Sequence, residues 1–179
     1  MRHRYGIRPL ADPATARPSS TSMPVSTAWV VGLLTALEPN APWADTYGAT
    51  AEAIAHAAEN EPLFAEADQG AERTATILVS LAWYESHFKP DARSKDGQTL
   101  CLYQVERSSL PDPKKALTDQ DMCTKAAMKI LHRSFEQCKK RPLEERMALY
   151  MSGQCDRGGP ESRYRMYLAK KLLKDHPAP

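Results

Sequence analysis

Glu85 is the residue in this chain best placed to hand over a proton. It stands near the end of an apolar helical run. At about 100° per residue, Ile77, Leu78, Leu81, Tyr84 and Phe88 share one arc, and Glu85 falls at its edge. A carboxyl group leaning into an apolar wall favours its neutral form, which is what a general acid requires. The alternative is a glutamate that ends a helix in water. A polar turn with Pro90, Asp91, Ser94, Asp96 and Gly97 follows, and then a short segment brings in Tyr103 and Gln104. Further on, Tyr150 shares an apolar helix face with Leu143, Met147 and Met151.

These residues fall into three motifs. The segment from Glu85 to Ser94, ESHFKPDARS, resembles the E-S-x-F-x-P-x-A-x-S signature of the soluble lytic transglycosylases, lysozyme-like enzymes that cut peptidoglycan. The segment from Asp96 to Gln104, DGQTLCLYQ, is similar to that family's second motif in the form D-G-x-S-x-G-L-x-Q, met in phage-associated members. The segment from Ala148 to Gly153, ALYMSG, resembles the third, A-x-Y-N-x-G. Three positions depart from the pattern: Thr99 stands for Ser, Cys101 for Gly and Met151 for Asn. The Cys101 departure bears on how closely backbone and sugar approach, since only Gly lacks a side chain. Met151 takes a polar group out of the expected cleft.

The resemblance implies a mostly α, lysozyme-like single domain of about seven or eight helices, with any small hairpin confined to residues 97–104. It implies catalysis by Glu85 and Tyr150 on the glycan strands of peptidoglycan, with Ser94, Gln104 and Tyr103 binding the sugar and no cofactor or metal. Tyr103 is expected to offer a flat face to a pyranose ring. Most glycosidases need two carboxylates, but substrate-assisted ones work with a single acid. Glu85 has no paired acid at comparable burial, because Asp91 and Asp96 lie in the polar turn. The implied reaction therefore cleaves the MurNAc–GlcNAc bond and closes a 1,6-anhydro ring. Two alternatives stay open: a goose-type muramidase in which Asp91 or Asp96 positions a water, and a wall-binding or virion module without catalysis.

The rest of the chain reads as support. Residues 1–24, rich in Arg, Pro, Ser and Thr, form an expected disordered tail, and the domain runs over 25–179. Residues 26–37 form the most apolar run, read as a core helix capped near Ser26 rather than a signal peptide; it is too short to span a bilayer, which takes about 20 residues. An Ala-rich helix is expected over Asp45–Glu59, with His56 on the surface. Ser108–Asp121 reads as a loop along the rim of a cleft. The pattern Thr118-x-x-Asp121 predicts a capping box for a core helix that ends at Cys138 and keeps His132 off its inner face. Pro142 starts another helix, which Gly153 ends. Over Ser162–Lys174, Tyr164, Tyr167, Leu168 and Leu172 are expected inward, and Arg163, Arg165, Lys170, Lys171 and Lys174 mostly outward.

The chain has 179 residues, a net charge of +2 and four cysteines. That length suits one domain, and so weak a charge gives no argument for nucleic acid. With no C-x-x-C pair, zinc is a poor fit. Cys138 closes a helix and Cys155 follows the Tyr150 motif, so a Cys138–Cys155 bridge would clamp that helix, leaving Cys101 with Cys123 by elimination; four reduced, buried thiols are the alternative. Bridges would point to an extracytoplasmic site of action, in the periplasm, at the cell wall or delivered by a virion. A monomer is expected.

Overall fold

Ser26 opens the first helix as its type predicts: its hydroxyl accepts the Trp29 N–H at 3.1 Å, satisfying one of the donors a helix start leaves free. The computed structural model describes residues 24–64 and 68–179, so the expected tail lies, apart from Pro24, outside the described residues. Among the described residues six α-helices follow in chain order: α1 Thr27–Leu37, α2 Tyr47–Asn60, α3 Gly70–Ser86, α4 Gln120–Gln137, α5 Ala148–Ser152 and α6 Gly159–Asp175. Between α3 and α4 lie strands β1 (Thr99–Leu100) and β2 (Val105–Glu106), an antiparallel pair in which Thr99 faces Glu106 and Leu100 faces Val105. The fold is thus mostly helical and lysozyme-like, with a hairpin that reaches two residues beyond the expected stretch. The loop over 108–121 contains a short 3-10 turn at Lys115–Leu117.

Helix α3 is the axle. Every residue from Thr74 to Ala82 is buried, as a helix that is apolar on all sides must be. Helices α1, α2 and α6 pack around it, while α4 lies against α2 and α5 against α4 and α6. Two of its buried hydroxyls find partners inside: that of Ser80 donates to the Arg165 carbonyl at 2.8 Å, and that of Thr74 to the Gly70 carbonyl at 2.7 Å.

The helix expected from Pro142 to Gly153 is broken into a 3-10 turn, Leu143–Glu145, and the five-residue α5. Two buried serines explain the break. Ser134 of α4 donates to the Arg146 carbonyl at 2.7 Å and accepts the Tyr150 N–H at 3.3 Å. Ser162 of α6 donates to the Glu144 carbonyl at 2.7 Å and accepts the Met147 N–H at 3.2 Å. Backbone groups that a continuous helix would pair internally are satisfied from the neighbours instead. Gly153 closes α5 at φ 75°, as expected.

Two further expectations are corrected. The cap of α4 is Asp119, whose carboxylate accepts the Met122 N–H at 2.9 Å, while Thr118 donates to the Lys115 carbonyl. On α6, Tyr164 and Tyr167 are 63% and 69% exposed, and the buried stripe is Ser162, Met166, Ala169 and Leu172. Arg165 lies beside that stripe and faces inward. Both expected disulfides are present, Cys101–Cys123 and Cys138–Cys155. Among the described residues, no helix is long and apolar enough to cross a membrane.

Candidate active site

Glu85 sits one residue before the end of α3. The chain then turns sharply, with His87 at φ 51° and Phe88 at φ 63°, a left-handed exit of the kind that commonly closes helices. Neither residue is glycine, so the conformation is held from outside. Phe88 is buried edge-on against Tyr47 with centroids 5.7 Å apart. The Trp43 indole N–H donates to the His87 carbonyl at 2.9 Å, and the His87 ring lies 3.3 Å from the Glu38 carboxylate.

The turn before Gln104 is gripped from both sides. From α3, the Ser86 hydroxyl donates to the Leu102 carbonyl at 2.6 Å; from α5, the Tyr150 hydroxyl donates to the Tyr103 carbonyl at 2.8 Å. Cys101 adopts φ 62° and is fully buried. That left-handed geometry is the reason a glycine is expected there; in this chain the bridge to Cys123 ties the residue to α4.

Glu85 is neither buried nor open, with 19% of its side chain exposed. Its Oε1 accepts two N–H groups of Arg165, from Nε at 3.2 Å and Nη2 at 2.7 Å. Arg165, 13% exposed, also lies 4.9 Å over the Tyr84 ring and donates from Nη1 to the Glu161 carbonyl at 3.1 Å. Tyr84 is exposed rather than on the inner arc. Tyr150 stands close enough to feel the Glu85 charge. Burial first, and that carboxylate second, hold its phenol well above the ordinary tyrosine range, with Arg165 pulling the other way. It is therefore a neutral hydroxyl at physiological pH.

Tyr150 also lines a cavity of about 280 Å³ with Thr99, Gln104, Glu106, Arg133 and Leu149. Glu85 is not among the lining residues. A larger hollow of about 650 Å³ between α2 and the start of α4, lined by Glu52, His56 and Asp121, carries none of the motif residues. His132, expected off the core face, is half-buried with its Nε2 3.0 Å from the Glu61 carbonyl.

The remaining site residues divide. Gln104 lines the cavity with its amide held at both ends: Oε1 accepts from Thr99 Oγ1 at 2.9 Å and Nε2 donates to the Cys101 carbonyl at 3.1 Å. Ser94 organises the polar turn, donating to Asp96 Oδ1 at 2.6 Å and accepting the Thr99 N–H at 3.0 Å. It makes no hydrogen bond to Glu85 among the described residues, and neither does Gln104. Tyr103 corrects the expectation of a sugar platform: its ring is 0% exposed, and it contributes its carbonyl. Asp96 is committed to the turn, where the Ser94 hydroxyl and then the Gln98 N–H hold its carboxyl below the usual range. Asp91 is exposed and pairs loosely with Lys89 at 3.9 Å. Sequence reasoning missed Ser86 and Arg165. For Arg165 the available signal was the spacing of Ser162, Met166, Ala169 and Leu172, which sets a stripe with Arg165 at its edge.

The family model described as Transglycosylase SLT domain matches residues 62–165, more than half of the chain. The match runs from the turn before α3 through all three motifs and ends at Arg165. No curated protein and no solved structure matches the chain.

Proposed function

Because this chain belongs to the transglycosylase SLT domain family, we propose that it is a peptidoglycan lytic transglycosylase in which Glu85 serves first as acid and then as base. The observation that carries this reading is a largely shielded carboxylate within electrostatic reach of a neutral tyrosine that lines a cavity with Gln104.

Protonated Glu85 gives its proton to the oxygen between N-acetylmuramic acid and N-acetylglucosamine. As the bond to muramyl C1 breaks, positive charge grows on the ring and is met by the substrate's own acetamido oxygen. The Tyr150 phenol keeps its proton, so it acts as a dipole and not as a base. Glu85, now a carboxylate, removes the proton of the muramyl C6 hydroxyl. That oxygen attacks C1, closing the 1,6-anhydro ring and returning Glu85 to its starting form. Gln104 borders the sugar, Ser94 holds the turn that presents it, and the Tyr103 carbonyl fixes Tyr150. The single-acid scheme suits a site in which Asp96 is already occupied by its own turn.

Digestion of purified sacculi followed by mass spectrometry tests the reading. Anhydro-muropeptides are expected; products with reducing ends would replace the transglycosylase by a hydrolase, and no soluble product would leave a binding module. Glu85→Gln should lower the rate roughly 10²- to 10⁴-fold, the scale of a lost general acid. Since glutamine keeps an oxygen for Arg165, melting should drop by only about 2–4 °C, the equivalent of about 1 kcal/mol in a domain of this size.

A further inference from the structure

We infer that Arg165 is a positioning residue for Glu85: its guanidinium occupies Oε1 and leaves Oε2 as the oxygen that exchanges a proton with the glycan. The inference rests on the reading of Glu85 as the acid–base group.

The geometry is specific to one oxygen. Both Nε and Nη2 of Arg165 donate to Oε1, so the two acceptor positions of that atom are taken. Among the described residues, nothing bonds to Oε2. A glutamate's terminal torsion is broad when left alone; with Oε1 held by a planar fork, the direction of Oε2 follows.

Arg165 is itself held in place. Its Nη1 donates to the Glu161 carbonyl, its plane lies over Tyr84, and its own carbonyl accepts the Ser80 hydroxyl from the buried α3. This differs from surface pairs such as Lys171–Asp175 and Lys125–Asp121, whose partners are about half exposed and screened by water. A lysine in the same place would supply a point charge without the fork. In the proposed cycle one proton leaves Oε2 for the glycosidic oxygen and one returns to Oε2 from the C6 hydroxyl. Arg165 neither gives nor takes a proton.

The test compares the full chain with Arg165→Ala, Arg165→Lys and Glu85→Gln on soluble glycan strands, with folding followed by circular dichroism. In Arg165→Ala, kcat is expected to fall roughly 10- to 100-fold, the scale of misplacing a reacting group by about an ångström, while KM stays within about threefold. Millimolar guanidinium ion should restore part of kcat in that variant and do nothing for the wild type or Glu85→Gln. Arg165→Lys should fall between wild type and Arg165→Ala. Wild-type kcat in either arginine variant, a loss confined to KM, or a folded Arg165→Ala that guanidinium does not rescue would overturn the assignment. If Arg165→Ala does not fold, Arg165→Lys alone decides by the same split. Glu85→Gln separates the two ideas: if it is inactive while an arginine variant is normal, only the role of Arg165 fails. If it is as active as wild type, both do.

Discussion

Tyr150 turns its hydroxyl hydrogen toward the Tyr103 carbonyl, and among the described residues its phenol is one of three held above the ordinary range. Burial is the main cause in each, with a second contribution from Glu85 for Tyr150 and from Glu38 for Tyr47. A group whose folded value is raised stabilises the fold fully below its unfolded value, about 10 for tyrosine, and loses that contribution as pH climbs through the folded one. Ultraviolet titration should therefore show at least three of the seven tyrosines, Tyr47, Tyr103 and Tyr150, missing from the first ionisation wave and appearing only as helicity is lost. Seven phenols ionising together in a folded chain would contradict this. Tyr150→Phe should leave the Tyr103 carbonyl without its partner, at a cost of about 1–3 kcal/mol, measured by denaturant unfolding. Glu85 and Tyr150 stand out in the sequence as candidates because their neighbours form motifs. Arg165 was not, because Tyr164 and Tyr167 look like core residues by type, whereas Ser162 and Ala169, which do face inward, are too small and too common to stand out.

At the scale of elements, local rules located most helices and misplaced some of their ends. Ser26 and Gly153 cap where their types predict, since a hydroxyl or a residue free to take positive φ is all that such ends need. The start of α4 shifted from Thr118 to Asp119, both being good caps; Thr118 is drawn to the Lys115 carbonyl by a 3-10 turn that periodicity does not reveal. The break before α5 depends on Ser134 and Ser162, which are distant in sequence, so nothing local signals it. For α4 the prediction is direct. Asp119→Ala should cost about 1 kcal/mol and lower melting by about 2–4 °C. The Met122 N–H is the main cause that holds the Asp119 carboxyl below its usual range. Its contribution is therefore present above the unfolded value near 4 and lost as pH falls through the folded one. The difference between variant and wild type should shrink in acid, and an unchanged gap at low pH would remove the cap from the account.

Across the whole molecule, the two bridges are placed unevenly, and that placement has a consequence. Cys101–Cys123 ties the hairpin turn to α4, and Cys138–Cys155 ties the segment after α5 to the end of the same helix. Helix α4 is thus the strut on which the segments carrying Gln104 and Tyr150 are both fastened, while α1, α2 and α3 pack through buried apolar side chains and carry no disulfide. Closing loops of 22 and 17 residues is worth about 3 kcal/mol each in the chain-entropy account. Reduction should therefore loosen the site more than the helical body. In the oxidised protein, activity and far-ultraviolet circular dichroism should fall together as denaturant rises, as expected for one cooperative unit. After reduction and thiol blocking, activity should vanish at clearly lower denaturant than helicity, so that a chain kept reduced would fold yet work poorly until it met an oxidising compartment. Coincident curves in the reduced protein would show that the bridges add stability everywhere alike and give the site no special dependence on them.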